Sequence, residues 1–248
     1  NYNSANGAYS LYTNTTGNFN TAVGFMADVN GTGYSNATAI GTYTIATGND
    51  QVRLGNAYVT SIGGHANWST LSDVRFKKNI QENVPGLAFI KELRPVTYNL
   101  DVTGLNKYLV SVRATDTAGN PALLTDEMKK SIIQKEQIVY TGFIAQDVET
   151  TAKKMNYSFS GVDGPKNEKD LFGLRYAEFV VPLVKAVQEL SAENERQKTE
   201  FEAQLREIRE ELYNLKNGGA GHSAALLPTG TSNAGSSPSE LKVFPNPS

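Results

Sequence analysis

Ser72 and Lys77 have residue types and a spacing that could support peptide-bond chemistry. A serine hydroxyl becomes a strong nucleophile when a base takes its proton, and a lysine amine becomes such a base when burial lowers its pKa from about 10.4. Pairs at this spacing also arise by chance in most chains. From spacing alone, a second interpretation stays open, in which Ser72 begins a strand and Lys77 is a solvated surface charge.

The composition excludes several other kinds of chemistry. The 248 residues include no cysteine, which rules out disulfides, thiolate metal sites and cysteine nucleophiles. With His65 and His222 as the only histidines, we expect no metal centre and no cofactor. The net charge of −2 offers no basic face to a nucleic acid. No apolar run approaches the roughly 18 residues that span a bilayer, so we expect no membrane insertion.

An internal repeat occupies residues 1–64. Residues 1–7 recur seventeen positions later as 18–24, residues 38–41 continue the period, and residues 52–55 follow after fourteen. Each unit combines a short alternating strand with a glycine that can turn a corner. Because one coil cannot bury its apolar side alone, the coils must stack on each other, on other chains, or both. A Gly/Asn-rich disordered linker is the alternative interpretation.

The repeat resembles the left-handed β-roll heads of trimeric bacterial adhesins and the shafts of phage tail fibres. The resemblance implies a β-roll or β-solenoid and an assembly of three chains. An aromatic row along it leaves room for a host or glycan ligand, although packing between repeats explains such a row more simply: Tyr2, Tyr9, Tyr12, Phe19, Phe25, Tyr34 and Tyr43.

One long helix is predicted over residues 176–216. Apolar and amide side chains follow one another by three and four residues, as heptad seam positions do, with one four-residue stutter after Phe201. The predicted seam consists of Val187, Leu190, Asn194, Gln197, Phe201, Leu205, Ile208, Leu212 and Leu215. The pattern favours a coiled coil between copies of the chain over a helix packed on its own domain, and the heptads alone do not exclude a dimer.

Four blocks of sequence in the charged half carry a second resemblance. Residues 72–80 read Ser-Asp-Val-Arg-Phe-Lys-Lys-Asn-Ile and are similar to the opening motif of the endosialidase-type intramolecular chaperone domain, a Ser–Lys auto-processing family. The likeness continues through 87–98, 140–149 and 174–190. It implies a homotrimer in which three fibre chains fold together before the chaperone is cut off.

The same resemblance assigns roles to particular residues. Ser72 would be the nucleophile, Lys77 its general base, and Leu71–Ser72 the bond that is cut. Attack by the Ser72 hydroxyl on the Leu71 carbonyl passes through a five-membered ring and gives an ester, whose hydrolysis frees a new N-terminus at Ser72. Asp73 and Arg75 are candidates for holding this strand in place, and a structural role is favoured for both.

These patterns predict a mixed fold in five parts. β-roll repeats occupy 1–64, a junction 65–71, a small α+β chaperone domain 72–175, the trimeric coiled-coil helix 176–216, and a flexible linker with the start of a sorting signal 217–248. In the α+β part, we expect helices at 87–93 and 145–155 and strands at 96–100 and 138–144. Residues 101–135 are predicted to be a surface excursion with a loop and a polar helix from about Leu123.

The final residues 241–248 resemble the opening of a type IX secretion sorting domain, which implies an extracellular or cell-surface protein; a phage-derived fibre origin is also open. Because the chain begins inside a repeat, we expect it to be part of a longer protein. The function predicted is an intramolecular chaperone that trimerises a fibrous surface protein and then cleaves itself off. The alternatives are a trimer cap that does not cleave and an adhesin that binds its ligand through the repeats. Cleavage at Leu71–Ser72 would separate the repeats from the sorting signal.

Overall fold

The computed structural model describes residues 2–111 and 125–218. In its N-terminal part, parallel strands pair residues that are seventeen positions apart, which is the period of the sequence repeat. The N-terminal strands are β1 (Ser4–Asn6), β2 (Thr21–Val23), β3 (Asp28–Val29), β4 (Thr38–Ile40), β5 (Ile45–Ala46) and β6 (Val52–Leu54). β1, β2, β4 and β6 form one sheet in that order, and β3 pairs with β5. Ala5 pairs with Ala22 and Ala22 with Ala39, each seventeen residues on. The likeness of this stack to an adhesin β-roll stays a prediction.

Small side chains fill much of the interior of the stack. Ala22 and Ala39 are fully buried at the centres of β2 and β4, and Ala27, Ala37, Ala46 and the larger Val29 are fully buried elsewhere in the stack. Beside them, Asn20 uses its amide to link coils: its side-chain oxygen accepts from the backbone N–H of Ala37 at 3.0 Å. Because the strands contain only two or three residues, such coil-to-coil bonds supply much of the order.

Glycine is required where each coil turns a corner. Gly7, Gly24 and Gly41 have φ angles of 131°, 130° and 120°, a region that other residues rarely adopt. A Cβ atom on Gly24 would lie 2.7 Å from the carbonyl carbon of Gly41 in the next coil. Backbone conformation and close approach therefore both exclude a side chain at this corner.

Larger apolar side chains point out of the stack. Val23, Ile40 and Leu54 follow the buried alanines or Arg53 in the strands, and they are 42%, 42% and 37% exposed in the single chain. The aromatic side chains contact each other from coil to coil, as Phe25 does with Tyr43 at a ring distance of 5.3 Å. The coils thus bury mainly alanine inside, together with Val29, and leave Val23, Ile40 and Leu54 on the surface.

A small α+β body follows the stack. Its elements are α1 (Leu87–Glu92), β7 (Val96–Tyr98), α2 (Val102–Ser111), α3 (Asp126–Glu136), β8 (Tyr140–Gly142), α4 (Ala145–Lys154), β9 (Val162–Asp163), β10 (Gly173–Leu174) and the start of α5 (Val180–Gly218). β7 pairs with β8 and β9 with β10, both antiparallel. The core contains Phe89, Val148, Ala152, Phe159 and Phe179.

The beginning of α5 anchors the beginning of α1. Glu189 accepts a hydrogen bond from the backbone N–H of Leu87 at 2.7 Å, which places a carboxylate at the N-terminus of α1. Gly86 lies so close to α5 that a Cβ atom there would be 2.7 Å from the backbone nitrogen of Ala186. The chain is therefore fixed immediately after the segment that carries Ser72 and Lys77.

The predicted helices and strands of the body are present as α1, β7, β8 and α4, and the polar helix predicted to end at Lys135 is present as α3. The interpretation of the stretch that starts at residue 101 as a surface loop is wrong. α2 lies there, and Val102 and Ile132 form a buried cluster with Tyr58 from the end of the stack. The sequence signal failed because this helix contains Gly104 and buries its apolar side against a residue 44 positions earlier. The predicted helix start near Leu123 lies outside the described residues.

The chain divides into two compact units, Asn1–Ala192 and Glu193–Ser248. All the predicted seam residues of α5 are exposed, two of them, Val187 and Leu190, in the first unit and the rest in the second. Arg196 pairs with Glu193 at 2.7 Å on the surface of the helix. No described helix has the length and apolarity to cross a membrane. The predicted sorting signal, and the linker beyond Gly218, lie outside the described residues.

Replacing Gly24 with alanine tests the close packing of the coils. We expect Gly24→Ala to lower the free energy of unfolding by about 2–3 kcal/mol, because the new Cβ meets the next coil and strains the backbone. Gly63→Ala is the control, since nothing lies within 4 Å of a Cβ at Gly63, and its effect should stay within about 0.5 kcal/mol. Denaturant unfolding of both variants gives the comparison; equal stabilities would contradict the glycine requirement.

Candidate functional site

A single 3₁₀ turn brings Ser72 and Lys77 together. The turn spans Val74–Phe76, and its ends are closed by backbone bonds from Phe76 to Asp73 and from Lys77 to Val74, both at 3.1 Å. Ser72 stands just before the turn and Lys77 just after it. The Lys77 amine lies 2.8 Å from the Ser72 hydroxyl, within direct hydrogen-bond distance. The five-residue spacing is therefore a geometric pair and not only a sequence pattern.

Asp73 and Arg75 hold this turn in shape. The Asp73 carboxylate caps the turn by accepting from the backbone N–H of Arg75 at 2.9 Å, and the Arg75 guanidinium returns to the same carboxylate with Nη2 at 2.7 Å. The hydrogen bonds from the Arg75 side chain, and then from its backbone, lower the pKa of Asp73. The structural role favoured for these two residues agrees with these contacts.

The single chain does not enclose the pair. Ser72 and Lys77 are both exposed, whereas a lysine acts as a base for a hydroxyl only after water has been removed from its amine. In its contact with Ser72, the Lys77 amine is the donor, whereas a general base would accept the hydroxyl proton. The distance between the two groups is short enough for proton transfer, but the exposed environment within one chain does not activate the lysine.

Large apolar side chains surround the pair and are also exposed. Trp68 is 85% exposed, Leu71 80% and Phe76 71%. Val74 and Ile80 continue the same exposed run. Five large hydrophobic residues within thirteen positions form an unusual solvent-facing segment, and such patches commonly mark a contact with another surface. We call residues 68–80 the apolar processing segment.

Residues 72–155 match the family model described as the chaperone of endosialidase. This match, which begins at Ser72, supports the intramolecular chaperone family for the segment, and with it a role in fibre folding. The family is one of self-cleaving peptidases. The repeats at 1–64 and the resembling block at 174–190 lie outside the matched residues. Comparison with curated proteins gives no match, and comparison with solved structures gives none either.

The other predicted site residues differ in their surroundings. The seam residues of α5 are all exposed on that helix. Within the aromatic row, Tyr2 stacks on Phe19 at 5.3 Å and Tyr9 meets Phe25 at 6.2 Å, which favours packing between coils. Among the described residues, no group of three or more acidic, histidine or cysteine side chains could hold a metal ion.

Sequence reasoning did not single out Asp170, the acidic residue buried between the stack and the body. Its side chain is only 3% exposed and meets groups more than a hundred residues earlier in the chain. The local sequence around it shows turn chemistry and no signal of burial. A contact at this separation depends on the folded arrangement of both partners, so no local pattern could have revealed it.

The pH response of Asp73 tests the turn that positions Ser72. Because the pKa of Asp73 is lowered in the folded chain, the cap should be fully formed above about pH 4, the usual pKa of an aspartate. It should be lost only as the pH falls through the lowered pKa. We expect Arg75→Gln to move the Asp73 titration upward, and Lys78→Gln, which removes a neighbouring cation, to leave it nearly unchanged. NMR titration of the Asp73 carboxyl carbon measures this. Identical curves for the parent and Arg75→Gln would contradict the role of Arg75.

Proposed function

We propose that this chain carries the intramolecular chaperone of a fibrous surface protein. The chaperone assembles three copies and then cuts itself off at Leu71–Ser72. The observation that carries the proposal is the 2.8 Å contact between Lys77 and Ser72 at the first residues of the segment that matches the chaperone family. The family match supports the chaperone role, and the geometry of the pair supports the catalytic one.

The reaction follows from the position of Ser72 directly after the scissile bond. The neutral Lys77 amine takes the Ser72 hydroxyl proton as the oxygen attacks the Leu71 carbonyl carbon. The C–N bond breaks, Lys77 returns the proton to the leaving nitrogen, and the Leu71 carbonyl becomes an ester on the Ser72 oxygen. Water then hydrolyses this ester to a Leu71 carboxylate and a free Ser72 hydroxyl. The chain acts once on itself, so the site requires no substrate pocket.

Packing between chains would supply the missing desolvation. The apolar processing segment exposes Trp68, Leu71 and Phe76 around the pair, and contact with neighbouring copies would bury them together with Lys77. Removal of water lowers the pKa of a lysine amine and strengthens every polar interaction at the site. Assembly would then precede cleavage, since the base becomes active only in the packed state.

Two further surfaces support assembly from copies of the same chain. On the stack, Val23, Ile40 and Leu54 form an exposed apolar stripe in equivalent positions of successive coils. On α5, the seam residues Phe201 and Leu212 are 60% and 65% exposed. A coiled coil would hold three chains at high effective concentration while their β coils find register, which reduces the entropic barrier to that step.

A trimer cap that does not cleave is the second candidate, and the exposure of Lys77 is the observation that favours it. In this alternative the Ser72–Lys77 contact is a surface hydrogen bond, and the chaperone stays attached. Display at the cell surface through the sequence at 241–248 belongs to both candidates. A glycan or host ligand on the aromatic row stays a prediction.

The intact mass of the purified chain distinguishes the two candidates. After days at neutral pH, we expect the parent to yield a fragment that begins at Ser72, and Ser72→Ala to remain full length. Lys77→Met should slow cleavage by about 10²- to 10⁴-fold, because it removes the general base. The matched control is Lys78→Met, which removes the adjacent cation and should cleave like the parent. A parent that remains full length leaves the cap as the function; cleavage in Ser72→Ala excludes Ser72 as the nucleophile.

The seam of α5 can be tested with two substitutions that add the same charge. Phe201→Asp places a carboxylate in the predicted seam and should weaken the trimer by about 3–5 kcal/mol per chain, because an unpaired charge would be buried. Thr199→Asp places a carboxylate two residues away, off the seam, and should leave assembly almost unchanged. Sedimentation equilibrium reports the mass of each assembly. A monomeric parent, or equal association of the two variants, would exclude this seam.

A further inference from the structure

The α+β body holds the end of the stack through a polar contact that does not involve Ser72. The loop at 164–172, between β9 and β10, carries Asp170 to the last coil. Its buried carboxylate accepts hydrogen bonds from the Thr47 hydroxyl at 2.6 Å and the Gln51 amide at 3.2 Å, and the Arg53 guanidinium lies 3.7 Å away. Three side chains of the stack thus meet one carboxylate of the body.

The loop is built to present this carboxylate. The backbone N–H groups of Lys166 and Leu171 donate to Asp170 at 3.2 and 3.0 Å, and the Asn167 amide donates to the carbonyl of Thr47 at 2.8 Å. Burial raises the pKa of Asp170, but the hydrogen bonds that its carboxylate accepts, of which the bond from the Thr47 hydroxyl has the largest effect, outweigh burial and lower the pKa below its usual value. The group is therefore ionised at neutral pH. A buried carboxylate without these partners would be costly, which ties the loop to the coil.

A second contact lies just past β6. The Lys135 amine on α3 donates to the carbonyl oxygens of Ala57 and Val59 at 2.9 and 2.5 Å. Burial lowers the pKa of this lysine. The ring of Tyr58, between the two carbonyls, packs with Val102 and Ile132. Main-chain atoms of the stack are thus held by a cation, and a buried aromatic ring secures the same stretch.

Residues 60–72, which we call the tether, form the covalent link between these two partners. The tether contains no helix or strand, and every one of its residues is exposed. The Leu71–Ser72 bond lies in this tether, whereas the contacts of Asp170 and Lys135 lie outside it. The compact unit Asn1–Ala192 also includes both sides of the bond. Cutting the tether would remove none of the contacts that hold the two sides together.

We infer that Asp170, Asn167 and Lys135 form a docking interface that keeps the last coil of the stack bound to the body after the tether is cut. The partner of this interface is the chain's own N-terminal piece, recognised through Thr47, Gln51 and Arg53. The inference rests on the proposed self-cleavage for its setting, while the association itself can be tested with any cut in the tether. An N-terminal piece retained in this way would remain joined to the C-terminal half and to any signal carried there.

The test uses the full chain with Ser72→Ala, so that self-cleavage does not occur, and with a site for a sequence-specific protease inserted between Gly64 and His65. An affinity tag on the N-terminal piece allows the cut protein to be captured. We expect the untagged C-terminal piece to be retained and to co-elute in equal amount. Its separation from the tagged piece at micromolar concentration overturns the inference.

Variants in the same background identify the contact responsible. Asp170→Ala should raise the dissociation constant of the two pieces by about 30-fold, because it removes a charged acceptor from several donors. Glu168→Ala removes an exposed carboxylate from the same loop and should change the constant less than about twofold. A dilution series of the cut proteins gives both values. Equal constants for the two variants overturn the assignment to Asp170.

A substitution on the stack tests the same contact if the substitution in the loop prevents folding. Circular dichroism of each uncut chain shows whether it has folded. If Asp170→Ala loses structure before cutting, Thr47→Val takes its place: it keeps the size of the side chain, removes the shortest hydrogen bond to the carboxylate, and should weaken association about tenfold. Undiminished association in a folded Thr47→Val protein overturns the interface. Self-cleavage is measured separately in the chain that keeps Ser72, so its failure affects only the proposed function.

Discussion

Successive coils of the N-terminal stack approach so closely that a side chain does not fit at the corner, and alanines fill much of the inside. Gly24 meets Gly41 across this gap, and the centres of β2 and β4 are alanines with no exposed surface. An interior of this width buries little apolar area per residue, so the stack gains much of its order from hydrogen bonds between coils. A structure of this kind needs external apolar contacts to become strongly stable.

Larger apolar groups lie on the outside of the same coils. Val23 and Ile40 point outward in register at intervals of seventeen residues, next to the buried Ala22 and Ala39. Identical stripes on three chains could meet each other, but only if the chains align at the correct coil, and a repeat offers wrong alignments that are nearly as good. Under the proposed function, a separate part of the chain is therefore needed to set the alignment. Within one chain, the contact with Asp170 distinguishes the last coil from the other repeats.

Local features of the chain could be predicted from its sequence, and contacts over long separations could not. The seventeen-residue period appears directly in the pairing of Ala22 with Ala39. The contact between Ser72 and Lys77 is local as well, because a capped turn of three residues is sufficient to make it. By contrast, α2 was missed because its apolar residues bury against Tyr58, and Asp170 meets Thr47 over 123 positions. The local sequence around each of these residues does not indicate which distant residue it will contact.

The exposure of Lys77 also bears on the order of events in a chain that cuts itself only once. An amine that was already dry in the monomer could activate Ser72 before the fibre had formed, and the covalent link between the stack and the chaperone would then be cut too early. A lysine activates a neighbouring hydroxyl only after water has been removed from its amine. If the apolar processing segment is buried only when chains pack together, removal of water from Lys77 reports that packing is complete. Under the proposed function, burial of Lys77 on assembly thus links cleavage to assembly.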